Sequence, residues 1–141
     1  MGFLSAQDEQ AVKQEFERIG GPVKLVVFAS ELGPETNAQT VALVKEVAAL
    51  SDQLSVEVLN PHIDREQAAA YRVEITPTVI VEGARDYGIR FLGIPAGYEF
   101  SNLIDAIVAA STGEAALSAE TKTALAGLDH DVTIKVFATP T

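Results

Sequence analysis

Apolar residues recur at helical spacing at Val12, Phe16 and Ile19, behind Ser5 and Asp8, which read as a helix start, and ahead of Gly20 and Gly21, which stop it. This predicts a first helix over Asp8–Ile19. From Val23 to Ala29 every residue except Lys24 is apolar, with no helical gaps, as expected of a central strand buried on both faces. Gly33 and Pro34 break the chain. Val41, Val44 and Ala48, with Leu43, Val47 and Leu50, then give a helix with a broad apolar face. Leu54, Val56 and Val58 alternate with Ser55 and Glu57, so Leu54–Leu59 is a second strand, closed by Asn60 and Pro61 and parallel to the first.

Asp64 is placed to cap a short helix reaching Tyr71. Thr76 and Pro77 introduce a strand over Thr78–Glu82, Gly83 turns the chain, and Tyr87–Leu92 returns as a hairpin partner. Gly93, Pro95 and Gly97 mark an ordered loop, and Phe100, Leu103, Ile104, Ile107 and Val108 lie on one face of the next helix. The sum is an α/β fold: a mixed four-stranded sheet with helices on both faces, complete by about residue 112.

The remaining residues repeat the beginning. Ser118–Leu128 reads as a helix, Asp129–Asp131 as a turn and Val132–Ala138 as a strand. Val132, Ile134, Val136, Phe137 and Ala138 align at a constant offset with Val23, Leu25, Val27, Phe28 and Ala29, and Leu125 and Leu128 with Phe16 and Ile19. The repeat stops after its first strand, so the expected organisation is one unit over 1–112 and, over 113–141, a linker, helix and first strand of a truncated second unit. The plainer account is a chance likeness between two apolar helix–strand pairs.

Composition narrows the chemistry. Twenty acidic against ten basic residues give a net charge of −10, which repels phosphate backbones and argues against a nucleic-acid partner. The apolar runs are far shorter than a membrane span needs, and the first residues lack the basic and apolar pattern of a secretory signal, so a cytoplasmic protein is expected. The chain has no cysteine, which excludes disulfides, thiolate metal sites and cysteine nucleophiles.

His62 and His130 are the only histidines. Asp129-His130-Asp131 reads as a solvated turn rather than a metal site, because adjacent residues rarely converge on one ion. Ser30, Thr36 and Thr40 have no nearby histidine to activate them. Gly20-Gly21 and Gly93–Gly97 are turns, without the lysine and hydroxyl of a phosphate loop. No metal, cofactor or catalytic residue is expected.

Four stretches carry a family resemblance: Met1–Ser5, Pro22–Phe28, Phe91–Phe100 and Val136–Thr141. Through them the chain resembles the N-terminal unit of the glutaredoxin-like protein disulfide oxidoreductases, which pair two thioredoxin-fold units, and more distantly the N-terminal domain of the alkyl hydroperoxide reductase flavoprotein. The resemblance implies a thioredoxin-like fold. It puts Pro34, Glu35, Thr36 and Asn37 where the family carries Cys-x-x-Cys at a helix start, and Pro77, after Ile75 and Thr76, where the family has a cis-proline. That proline faces the active-site loop and frees neighbouring backbone to pair with an extended peptide.

The implied function is a redox-inactive scaffold or substrate-docking unit whose catalytic Cys-x-x-Cys would follow Thr141. Its implied partners are the second unit and an extended peptide or protein substrate, with Pro34–Asn37 and Thr76-Pro77 bordering a vestigial groove. The alternative is a thiol-free structural, peptide-binding or homo-oligomerisation module with no redox role.

Overall fold

The computed structural model describes residues 2–139, so Met1, Pro140 and Thr141 at the ends of two of the resembling stretches lie outside the described residues. Nine elements follow in order among the described residues: α1 (Ala6–Phe16), β1 (Val23–Phe28), α2 (Thr36–Ala48), β2 (Leu54–Leu59), α3 (Arg65–Ala70), β3 (Thr78–Glu82), β4 (Asp86–Leu92), α4 (Phe100–Thr112) and α5 (Ala119–Ala126). A single 3₁₀ turn, Gly97–Glu99, leads into α4. The strands form one sheet in the order β2-β1-β3-β4. β1 and β2 are parallel, joined through α2, while β3 runs antiparallel to both β1 and β4.

Side-chain alternation along the strands sorts two cores. Leu25 and Val27 of β1 and Val79 and Val81 of β3 face α1, α2 and α4, where they meet Phe16, Val44, Leu103 and Ile107. Val26 and Phe28 of β1 and Ile80 of β3 face the other side, with Leu59 and Ala68. Fully burying a valine, leucine, isoleucine or phenylalanine side chain in this way contributes roughly 1.5–3 kcal/mol relative to an exposed one.

The second face is covered by only the short α3, and beyond it polar groups replace apolar ones. Lys24 Nζ pairs with Glu57 across two strands at 2.6 Å. The Tyr71 hydroxyl donates to Glu82 at 2.8 Å. The Arg90 guanidinium stands 5.8 Å from the Tyr71 ring centroid and pairs with Asp86 at 2.7 Å. The one polar position in β1 is therefore the end of a ladder that closes the uncovered part of this face. Burial, and then the bond to Glu82, push the Tyr71 hydroxyl's pKa up.

The element boundaries shift slightly from the sequence pattern. The helix expected over Asp8–Ile19 starts earlier, at Ala6, because Ser5 and Asp8 form a reciprocal capping box, and its regular part ends at Phe16. Asp64 stands at the start of α3, but its side chain makes no cap there; its carboxylate accepts from the Asn60 N–H at 2.7 Å and closes the preceding loop instead. Gly83 lets the β3–β4 turn rest on α4, since a Cβ there would run into the Ala110 carbonyl.

The expected strand over Val132–Ala138 is not formed. α5 is present, capped by the Ser118 hydroxyl, but residues 131–139 pair with no other strand and are exposed. A strand is held by a neighbour's N–H and C=O groups, and no sheet edge among the described residues lies alongside this segment to supply them.

Candidate functional site

The loop between β1 and α2 and the entry to β3 lie at one end of the sheet, because Phe28, the last residue of β1, is the register partner of Thr78, the first of β3. Pro34 and Glu35 are exposed, Thr36 is half-buried and Asn37, in the first turn of α2, is buried with 3% of its surface open. Glu35 stands at the helix start without capping it through its side chain.

Asn37 ties the loop together. Its Oδ1 accepts from the Ser30 N–H at 3.2 Å, and its Nδ2 donates to the Pro34 carbonyl at 3.0 Å. Gly33 N–H donates to the Ser30 carbonyl at 3.0 Å, and a Cβ on Gly33 would come within 2.5 Å of Asn37 Nδ2. The turn is thus drawn tight around one buried amide. The Thr40 hydroxyl, also buried, donates to the Thr36 carbonyl at 2.7 Å, so it is committed to the helix rather than to chemistry.

Across the sheet end, the Thr76–Pro77 peptide bond is cis. Pro77 is buried, its carbonyl accepts from the Gly93 N–H at 2.8 Å, and the Thr78 hydroxyl donates to the Ile75 carbonyl at 2.8 Å. Neither of these bonds uses the Thr76 backbone. Ile75 is exposed, as are Leu32 in the β1–α2 loop, Leu92 at the end of β4 and Tyr98 in the 3₁₀ turn, so this end of the molecule carries several exposed large apolar side chains.

A cavity of about 660 Å³ adjoins Pro34, Glu35 and Asn37 and lies between the Ala38–Val41 side of α2 and the β2–α3 loop. Ile75, Thr76 and Pro77 do not line it. β1 and β3 fill the sheet's centre with buried valines and isoleucine, and this cavity lies towards the β2 edge. Reading the sequence missed Val58, Ile63 and Lys45, which border this cavity; a strand residue such as Val58 gives no sign that its covering helix falls short of it.

The remaining candidates form no centre. His130 Nδ1 lies 2.7 Å from Asp129 in an exposed turn, and the His62 N–H donates to Asn60 at 3.0 Å. Among the described residues no group of three or more His, Asp or Glu side chains is placed to hold a metal. No described helix is long and apolar enough to cross a membrane.

A parallel pair joined through a helix, then an antiparallel hairpin entered through a cis-proline beside the first helix after β1, is a known arrangement. The chain has a thioredoxin fold. No protein-family model matches it. The alkylhydroperoxide reductase component AhpF of Enterococcus faecalis superposes with a TM-score of 0.81 at 22% identity, over 89% of this chain and 61% of that one. A protein disulfide oxidoreductase from Aeropyrum pernix superposes with a TM-score of 0.76 at 30% identity, over 88% of this chain and 55% of that one. Both are tandem thioredoxin-fold proteins; this chain has no cysteine. In sequence, a protein of Bacillus subtilis described as NADH dehydrogenase is 31% identical over 109 residues, 77% of this chain and 19% of that protein. The chain therefore spans a little over half of the solved relatives and a fifth of the sequence relative.

Proposed function

We propose that the chain is a redox-inactive thioredoxin-fold unit, a scaffold or peptide-docking partner within a disulfide oxidoreductase-like protein whose catalytic Cys-x-x-Cys follows Thr141. The observation that carries this reading is the buried amide of Asn37, which is bound into the turn's own hydrogen bonding at the position where, on the resemblance, the family has its second cysteine. With no thiol, neither mixed disulfide formation nor reduction is open to this unit.

What remains is the ability to hold an extended chain. The backbone at Thr76 offers strand pairing, and exposed Ile75, Leu92 and Tyr98 offer apolar contact beside it. The proposal keeps residues 113–141 as the linker, helix and first strand of a second unit, although Val132–Ala138 has no strand partner among the described residues, and a role in cell redox balance in the cytoplasm belongs to it. Titrating an extended, aromatic-containing peptide into isotope-labelled protein tests it. Amide shifts are expected at Ile75, Thr76 and Thr36; shifts elsewhere, or none, refute docking.

A second reading, a thiol-free assembly module, is favoured by one observation: the apolar side chains of residues 132–137 are exposed and unpaired.

A further inference from the structure

Three neighbouring strands meet the cis-proline end in one row. Phe28 of β1 pairs with Thr78 of β3, and Thr78 with Leu92 of β4, so residues 29–35, 74–77 and 93–99 enter or leave the sheet side by side, with Thr76 on the middle segment. Neighbouring strands are about 4.8 Å apart. The two outer loops therefore begin well inside the Debye length of about 10 Å at 0.1 M salt, and charges on them act on a chain paired with the Thr76 backbone.

Every one of these segments carries a carboxylate, and none carries a lysine or arginine. Glu31 and Glu35 lie on the first, Glu74 on the middle one and Glu99 on the last, all exposed and without an ion pair among the described residues. Only Glu35 accepts a side-chain bond, from Gln39 at 3.3 Å. Arg65 and Arg72 are the cations closest in sequence. Arg65 Nε donates to the His62 carbonyl, and Arg72 follows Tyr71, whose hydroxyl bonds to Glu82 at the far end of β3.

The opposite end of the sheet is different. The loops before β1 and β2 carry Glu17 and Asp52, but Arg18 and Arg85 lie at that end as well. The acidity is thus concentrated where Leu32, Ile75, Leu92 and Tyr98 offer exposed apolar surface. An apolar patch flanked by carboxylates repels an acidic chain and attracts a basic one.

We propose that the chain docked at Thr76 is basic: an extended segment with an apolar or aromatic centre and lysine or arginine on both flanks. Its centre rests on Ile75 and Tyr98 beside Glu74, and its flanks face Glu31 and Glu35 on one side and Glu99 on the other. This rests on the docking reading proposed above and adds the class of sequence that the site selects.

One extended peptide made in three forms tests it, with the same tyrosine-containing apolar centre and flanks of lysine, serine or glutamate, titrated into the isotope-labelled 141-residue chain at low salt. Amide shifts at Thr76 report the site, and their concentration dependence the affinity. The lysine form is expected to bind about tenfold or more tighter than the glutamate form, with serine between, and the gap to narrow in about 0.5 M salt. E31K/E74K is expected to close the gap, whereas E17K/D52K, the same change in net charge at the opposite end of the sheet, is expected to keep it. Circular dichroism checks the fold of each variant, and the single changes E31K and E74K, each expected to close part of the gap, replace the pair if it unfolds. Failure of all three forms to bind overturns the docking reading, and this inference with it. Shifts at Thr76 with equal affinity for the three forms overturn this inference alone. So does a preference that survives E31K/E74K, or one that E17K/D52K removes equally, since net charge would then be its cause.

Discussion

The side-chain oxygen of Asn37 accepts the backbone N–H of Ser30 across the turn that joins β1 to α2, at 3.2 Å and out of contact with water. A buried N–H left without an acceptor costs about 1–3 kcal/mol. Asn37→Ala removes that acceptor and the donor to Pro34 together, and is expected to destabilise the protein by about 2 kcal/mol in urea unfolding. Asn37→Asp keeps the acceptor but sets a carboxylate against the Pro34 carbonyl, so it should fall between wild type and the alanine variant only near or below the pH at which the carboxyl is protonated.

The same turn holds two positions three residues apart at the start of a helix, the exposed Pro34 and the buried Asn37. A thiol at position 34 would sit by the first-turn N–H groups of α2, which favour a thiolate. P34C/N37C is therefore expected to form an intramolecular disulfide under mild oxidation and to yield two titratable thiols on reduction. Two free thiols after oxidation would show that the turn no longer holds the spacing.

Asp86 gives the protein an acid-sensitive contact. The bond from Arg90, with help from the Gly88 N–H and despite some burial, lowers its carboxyl from 3.8 to about 2. A carboxyl depressed in the folded state stabilises the protein fully above its unfolded pKa, and that contribution disappears as pH falls from about 4 to about 2. Both side chains are partly exposed, so solvent screening leaves a contribution of about 1 kcal/mol. The stability gap between wild type and Asp86→Asn, followed by urea unfolding, should be present at pH 6 and shrink across that acid window.

Much of the fold is legible in the sequence because the strands are short apolar runs that only a sheet can bury. Val23–Phe28, Leu54–Leu59 and Thr78–Glu82 each appear where their pattern puts them. Lys24 is visible as an exception, but its reason is not, since Glu57 lies across a strand pairing that local pattern does not encode. Asp64 has the right chemistry for a cap and is diverted by a nearer N–H, that of Asn60. Val132–Ala138 has strand chemistry and no ladder, because pairing depends on a second strand rather than on the segment itself. At the site, the missing cysteines are plain in the composition. The buried position of Asn37 and the cavity beside β2 arise from packing, which no spacing rule reports.

Gly83 marks where the hairpin and the last long helix of the sheet meet. The turn from β3 into β4 lies so close to α4 that a Cβ on Gly83 would overlap the carbonyl of Ala110, and it would also come within 3.3 Å of the Tyr87 ring. The obstructing atoms are helix backbone, which cannot rotate aside as a side chain can. Ala110 is itself buried, one turn past Ile107 in the main core, so moving α4 would loosen contacts with Val79 and Val81. Gly83→Ala is therefore expected to cost about 2–3 kcal/mol, the upper part of the range of about 1–3 kcal/mol for overpacking, because the obstruction is backbone. Ala84→Gly, at the exposed neighbouring position, should change stability by less than about 1 kcal/mol. Equal losses in the two variants would mean that the turn's flexibility, rather than its contact with α4, sets the cost.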